Sequence, residues 1–125
     1  MGVLLYTTNG GGDAFDRLMK RIEGVVPTAG IRIGHRIEDL CSELRRPMSG
    51  YKIVVLVAED PRALEAYVSI RDLLKDLSII LVLPNFHKHT LLQACRLYPR
   101  FTSDTEGDFK DVAAVLAQML KRMHS

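Results

Sequence analysis

The sequence predicts one α/β domain, spanning 1–125, in which helices cover both faces of a parallel sheet. Five short apolar runs alternate with stretches of helical periodicity along 125 residues. Alternation of this kind is typical of parallel sheets, which are buried on both faces. The third and fourth runs, Ile53–Ala58 and Ile79–Leu83, are the most continuous and fit central strands. Folds of this class place their chemistry at the carboxyl ends of the strands.

The strand and helix units follow one another without a linker. The predicted strands are Val3–Thr7, Ile31–Gly34, Ile53–Ala58, Ile79–Leu83 and a weak fifth around Arg100–Ser103. Apolar residues at helical spacing follow each strand. They are Phe15, Leu18, Met19 and Ile22 in the first helix; Ile37, Leu40, Cys41 and Leu44 in the second; Leu64, Tyr67, Val68 and Leu74 in the third; Leu91, Cys95 and Tyr98 in the fourth; and Phe109, Val112, Ala113, Leu116, Leu120 and Met123 in the last.

Short polar residues and prolines mark the predicted helix ends. Asp13 is placed to cap the first helix, because a short acidic side chain satisfies free backbone N–H groups. Asp60 followed by Pro61 indicates a capped start for the third helix. Pro99 ends the fourth helix. Cys41 and Cys95 lie on the apolar stripes of their helices, which predicts buried free thiols and a cytoplasmic location.

Composition excludes several classes of function. The net charge is +2, too small for a nucleic-acid footprint. No apolar run approaches the roughly 20 residues of a membrane-spanning helix. The chain has no Trp to stack on a base or a flat cofactor. We therefore expect no nucleic acid, no membrane and no cofactor among its partners.

Five strand–helix units of this length resemble the receiver domain of bacterial response regulators in two-component systems. The stretch Arg100–Ser103, followed by Asp108–Val112, is similar to the family's last strand and the start of its final helix. The resemblance covers nearly the whole chain. It implies a flavodoxin-like, three-layer αβα sandwich with five parallel strands in the order 2-1-3-4-5.

The resemblance also implies a phosphotransfer site that this sequence does not retain. The family places an acidic pair after the first strand, a phosphoacceptor aspartate after the third, a hydroxyl residue after the fourth and a lysine after the fifth. The corresponding positions hold Thr7 and Thr8, then Val57 or Ala58, then Pro84, then Asp104. Without clustered carboxylates there is no oxygen cage for Mg²⁺, and without the lysine no fixed cation faces the phosphate. The chain therefore resembles a degenerate pseudo-receiver.

Two carboxylates lie just beyond the missing acceptor position. Glu59 and Asp60 follow the third strand, and a longer strand would present Asp60 at the edge of the sheet. Helix capping before Pro61 explains Asp60 without any phosphate chemistry.

The loop Thr8, Asn9, Gly10, Gly11 and Gly12 is the candidate ligand site. A strand, a glycine turn and a helix start expose N–H groups that can hold an anion. The loop matches neither standard phosphate-binding glycine motif, so it implies no nucleotide class. The other interpretation is a glycine turn with no ligand.

No catalytic set or metal site is predicted. His87 and His89 follow the fourth strand, with His35 after the second, and we interpret them as solvated. No nucleophile motif such as G-x-S-x-G is present. The sequence thus predicts a non-enzymatic signalling module that binds a protein partner or a second copy, with Val115 of the last helix as an interface candidate. The alternative is a domain that binds a small anion or nucleotide at the glycine loop.

Overall fold

The computed structural model of the protein describes residues 3–7, 12–26, 30–46 and 52–123. Five strands alternate with helices along this part of the chain. The elements are β1 Val3–Thr7, α1 Asp13–Glu23, β2 Ile31–Gly34, α2 Ile37–Arg45, β3 Ile53–Val57, α3 Pro61–Ser69, α4 Arg71–Leu74, β4 Ser78–Leu83, α5 Lys88–Cys95, β5 Phe101–Asp104 and α6 Lys110–Met123. The predicted bounds of β1 and β2 agree with the structure.

The strands form one sheet in the order β2-β1-β3-β4-β5, and every neighbouring pair is parallel. This flavodoxin-like arrangement confirms the predicted fold class. From β1 the chain crosses first to β2 on one side and later to β3 on the other. The sheet therefore has its topological switch point between the carboxyl ends of β1 and β3, where such folds bind ligands.

Alternating side chains of the sheet belong to two cores on opposite faces. Leu4 and Tyr6 of β1 pack in a cluster that includes buried residues of α2, α3, α4 and α5. Val3 and Leu5 pack in a second cluster with α1 and α6. The unbroken apolar sequence of the central strands thus reflects burial on both sides.

Three local features differ from the sequence prediction. The third predicted helix is two helices, α3 and α4, separated at Ile70, whose backbone (φ −109°, ψ 21°) leaves the helical region. Phe109 precedes α6 instead of belonging to it, and has a left-handed φ of 64°. The third strand ends at Val57, so Ala58 lies in the following loop.

The prediction that both cysteines are buried is wrong for Cys95. Both thiols are free, but Cys41 is half-buried and Cys95 is exposed. The apolar spacing of the fourth predicted helix is therefore not its core-facing side. Among the described helices, none has the length and apolar content needed to cross a membrane.

Candidate functional site

The carboxyl ends of four strands meet in one row of side chains. Thr7 pairs in register with Val57, Val57 with Val82, and Val82 with Ser103. All four residues are buried. The row offers two hydroxyls and two isopropyl groups, and neither a carboxylate nor an amine.

Asp60 caps the amino end of helix α3. Its Oδ1 accepts a hydrogen bond from the Ala63 N–H at 2.8 Å, and Pro61 fills the first helical position. Ala58, at the expected acceptor position, is buried, and its N–H donates to the Val82 carbonyl at 2.8 Å. These contacts confirm the capping interpretation of Asp60.

The residues that replace the hydroxyl and the lysine are half-buried. Pro84 directly follows β4. Asp104 closes β5, and its Oδ1 accepts a hydrogen bond from the Glu106 N–H at 3.2 Å. At the position where the family keeps a cation, this chain therefore places a carboxylate that organises its own loop.

Glu59 lies at the topological switch point, against Gly12. A Cβ built on Gly12 would lie 3.2 Å from Glu59 Oε1. That oxygen is buried and has no hydrogen-bond partner among the described residues. A negative charge at this place opposes the binding of an anion by neighbouring N–H groups.

Tyr67 supports the same switch point from within the core. Its hydroxyl contacts the Val57 carbonyl at 3.0 Å and the Tyr6 carbonyl at 3.2 Å, at the ends of β3 and β1. Burial raises the pKa of Tyr67 well above its ordinary value, and the charge of Glu59 adds to this effect. The phenol therefore stays neutral, and its single O–H group donates a hydrogen bond shared by the carbonyls of Tyr6 and Val57.

Most of the predicted ligand loop lies outside the described residues. This applies to Thr8, Asn9, Gly10 and Gly11. Gly12 is described, and it stands at the N-cap of α1 with φ 150°. The prediction that Asp13 caps this helix is wrong, because Asp13 is the first helical residue and makes no capping hydrogen bond.

Arg17 of α1 forms hydrogen bonds with the loop between β5 and α6. Its guanidinium donates to the carbonyls of Gly107 and Thr105, the latter at 2.7 Å, and to Asp13 at 3.0 Å. It also lies 5.3 Å from the ring centre of Phe109. Arg17 therefore contacts this loop in addition to facing solvent on α1.

A cleft of about 580 Å³ lies between the amino ends of α2 and α3. Arg36 and Arg62 line it, together with Glu38 and Asp60. Two positive and two negative side chains leave the cleft without a net charge, so it has no preference for an anion.

The histidines are not brought together. His87 and His89 are exposed at the start of α5, whereas the ring of His35 packs 5.4 Å from the ring of Phe15. Across the described part of the chain, no three His, Cys, Asp or Glu side chains form a group that fits a metal ion.

The exposed apolar side chains lie elsewhere than on the last helix. Val115 is half-buried against the core. The exposed large side chains that concentrate around α5 are Phe86, Leu91, Leu92 and Tyr98. The sequence assigned part of this group to the core, so this surface was missed.

The strand order and the helices on both faces define a flavodoxin-like parallel α/β domain. No protein-family model matches the sequence, and no curated protein matches it. Its fold is similar to the crystal structure of a Burkholderia pseudomallei protein described as pilus assembly-related, with a TM-score of 0.62. The two chains are 18% identical, and the similarity covers 98% of this chain and 88% of that one. At this identity the likeness shows the fold alone.

Proposed function

We propose that this chain is a non-enzymatic regulatory module, a pseudo-receiver that acts through protein contacts. The observation that carries the proposal is the row Thr7, Val57, Val82 and Ser103 at the carboxyl ends of the strands. A receiver accepts a phosphoryl group through carboxylates and a bound divalent cation. Buried hydroxyl and isopropyl groups cannot supply that oxygen cage.

The two nearby carboxylates do not replace the missing acceptor. Asp60 caps α3 through the Ala63 N–H. Glu59 places a buried carboxylate oxygen near Gly12. Among the described residues, no basic side chain pairs with that oxygen. Regulation by aspartyl phosphorylation is therefore disfavoured, and regulation by binding partners is favoured.

The small-anion alternative has weaker support. An anion at the glycine loop would face the Glu59 carboxylate, and the nearby cleft between α2 and α3 is neutral overall. The exposed apolar side chains around α5 favour contact with a protein instead.

Two further observations concern the cellular location and the partners of the protein. Both cysteines are free thiols, as expected in a reducing compartment, which favours the cytoplasm. The fold neighbour carries a pilus-assembly description, and a contact module is compatible with the assembly of a multi-protein structure. The likeness therefore indicates which kinds of partner protein to test first.

The proposal is tested by incubating the protein with acetyl phosphate and Mg²⁺ and measuring its intact mass. We expect no phosphorylated species. Stoichiometric labelling that Asp60→Asn abolishes, and that the exposed control Glu65→Gln retains, would overturn the proposal. A thermal-shift screen with nucleotides, flavins and phosphorylated metabolites tests the alternative, because a ligand specific for the folded state raises the unfolding temperature.

A further inference from the structure

Within α5, Thr90 and Ala94 face the core, whereas Leu91 and Leu92 face solvent. Thr90, Ala94 and Leu97 are buried. Leu91 is 39% exposed, and Leu92 is 60% exposed. Cys95, at the end of α5, and Tyr98, just after it, are also exposed. The outer side of α5 is therefore an apolar surface with no partner within the described chain.

Hydrogen bonds at the start of α5 fix this rotation. Asn85 Oδ1 accepts hydrogen bonds from the Thr90 hydroxyl at 2.7 Å and from the His87 N–H at 3.0 Å. Turning Leu91 and Leu92 into the core would break the first of these bonds. The exposure of the apolar side is thus set by specific contacts.

Tyr98, just after α5, has a left-handed backbone, and its N–H donates a hydrogen bond to the Cys95 carbonyl at 3.1 Å. It has a φ of 48°, in the left-handed region where glycine is favoured, and its side chain is 88% exposed. Phe109 has a similar φ of 64°, but its ring is fully buried in the core. Strain of this kind concentrates at binding sites. Tyr98 therefore presents a large aromatic side chain to solvent at a position where glycine is favoured.

The surface around this helix is basic. The sequence has no Asp or Glu between Asp76 and Asp104, whereas it has Lys88, Arg96 and Arg100 there. A groove of about 590 Å³ adjoins Tyr98. The charged residues that line it are Arg71, Lys75, Arg96 and a single carboxylate, Asp72. Its apolar lining comes from Leu77, Leu97 and Tyr98.

We infer that the outer side of α5 and the groove beside Tyr98 dock a segment of a partner protein that combines carboxylates with large apolar side chains. The inference rests on the proposed function and names the chemistry of the partner. Positive charge around an apolar surface is complementary to such a segment. A second copy of this surface would bring like charges together. A flat bilayer would not fill a concave groove.

The experiment is selection of binders from a displayed library of random peptides against the wild-type chain. We expect the enriched peptides to carry Asp or Glu together with Leu, Phe or Trp, and to bind more weakly as salt rises. Arg96→Glu is expected to weaken binding of the enriched peptides about tenfold. Lys20→Glu, on α1 across the sheet, is the matched control and is expected to bind like the wild type.

Tyr98→Gly separates docking from folding. Glycine relieves the left-handed backbone, so the unfolding temperature is expected to stay the same or rise while peptide binding falls about tenfold. Failure to enrich peptides, enrichment of peptides without acidic residues, or binding to Tyr98→Gly and Arg96→Glu as tight as to the wild type would each overturn the inference. Two further results, obtained without any peptide binding, would also overturn the inference. One is saturable binding to anionic vesicles, and the other is self-association, in each case abolished by Tyr98→Gly and Arg96→Glu. None of these results involves phosphorylation, so the acetyl phosphate assay decides the proposed function separately.

Discussion

Replacing Arg17 by Met keeps most of the length of the side chain and removes its guanidinium. The substitution leaves the carbonyls of Gly107 and Thr105 without their donor and removes the cation from the ring of Phe109. Hydrogen bonds from a charged donor are worth about 1.5–3 kcal/mol when buried. The Arg17 side chain is 38% exposed, which reduces that contribution.

We therefore expect Arg17→Met to lower the free energy of unfolding by about 2 kcal/mol, and the unfolding temperature by about 6–8 °C. Urea denaturation followed by circular dichroism measures the first quantity, and calorimetry measures the second. Lys20→Met, one turn along the exposed side of the same helix, is the matched control and should change stability by less than about 0.5 kcal/mol. If Arg17→Met costs no more than that control, the guanidinium does not fasten the loop before α6 and the reasoning fails.

Three further substitutions test the packing around the switch point, each by urea denaturation. Tyr67→Phe removes the hydroxyl between the ends of β1 and β3 and should cost about 1–2 kcal/mol. Because folding raises the pKa of Tyr67, the free energy of unfolding of the wild type should fall by about 1.4 kcal/mol per pH unit as the pH rises above about 10. Tyr67→Phe should lack this pH-dependent loss of stability. Parallel pH profiles of the two proteins would contradict the prediction. Gly34→Ala should cost about 2 kcal/mol, because a Cβ there would overlap the buried ring of Tyr6, and an unchanged midpoint would show that the ring moves freely. Asp60→Ala should cost about 1 kcal/mol by removing the cap on the Ala63 N–H, whereas Asp60→Asn keeps an accepting oxygen and should cost much less; equal costs would argue against the cap.

The sheet could be predicted from the sequence because continuous apolar runs are typical of strands that are buried on both faces. Val3–Thr7 and Ile31–Gly34 are found with the predicted bounds. Asp60 was accessible as well, since a cap before Pro61 depends on neighbouring residues only. The strand order came from the family resemblance, and the structure confirms it.

The candidate site was only partly accessible. The sequence identified the residues at the strand ends and the absence of a phosphoacceptor among them. It did not place Glu59 against Gly12, because that approach joins two loops far apart in the chain. It also could not show that Arg17 reaches carbonyls of the loop before α6.

The sequence by itself determined the α/β class and the strands, because both depend on periodicity within short stretches, whereas the expected loss of a phosphoacceptor was implied only by the family resemblance. Only the tertiary structure decided which side of α5 is buried. The spacing of Leu91, Cys95 and Tyr98 is typical of a core-facing stripe, but the Asn85–Thr90 hydrogen bond and the small side chain of Ala94 turn the opposite side inward. Helical periodicity identifies an apolar side of a helix, whereas contacts with the rest of the chain determine whether that side faces the core or a partner.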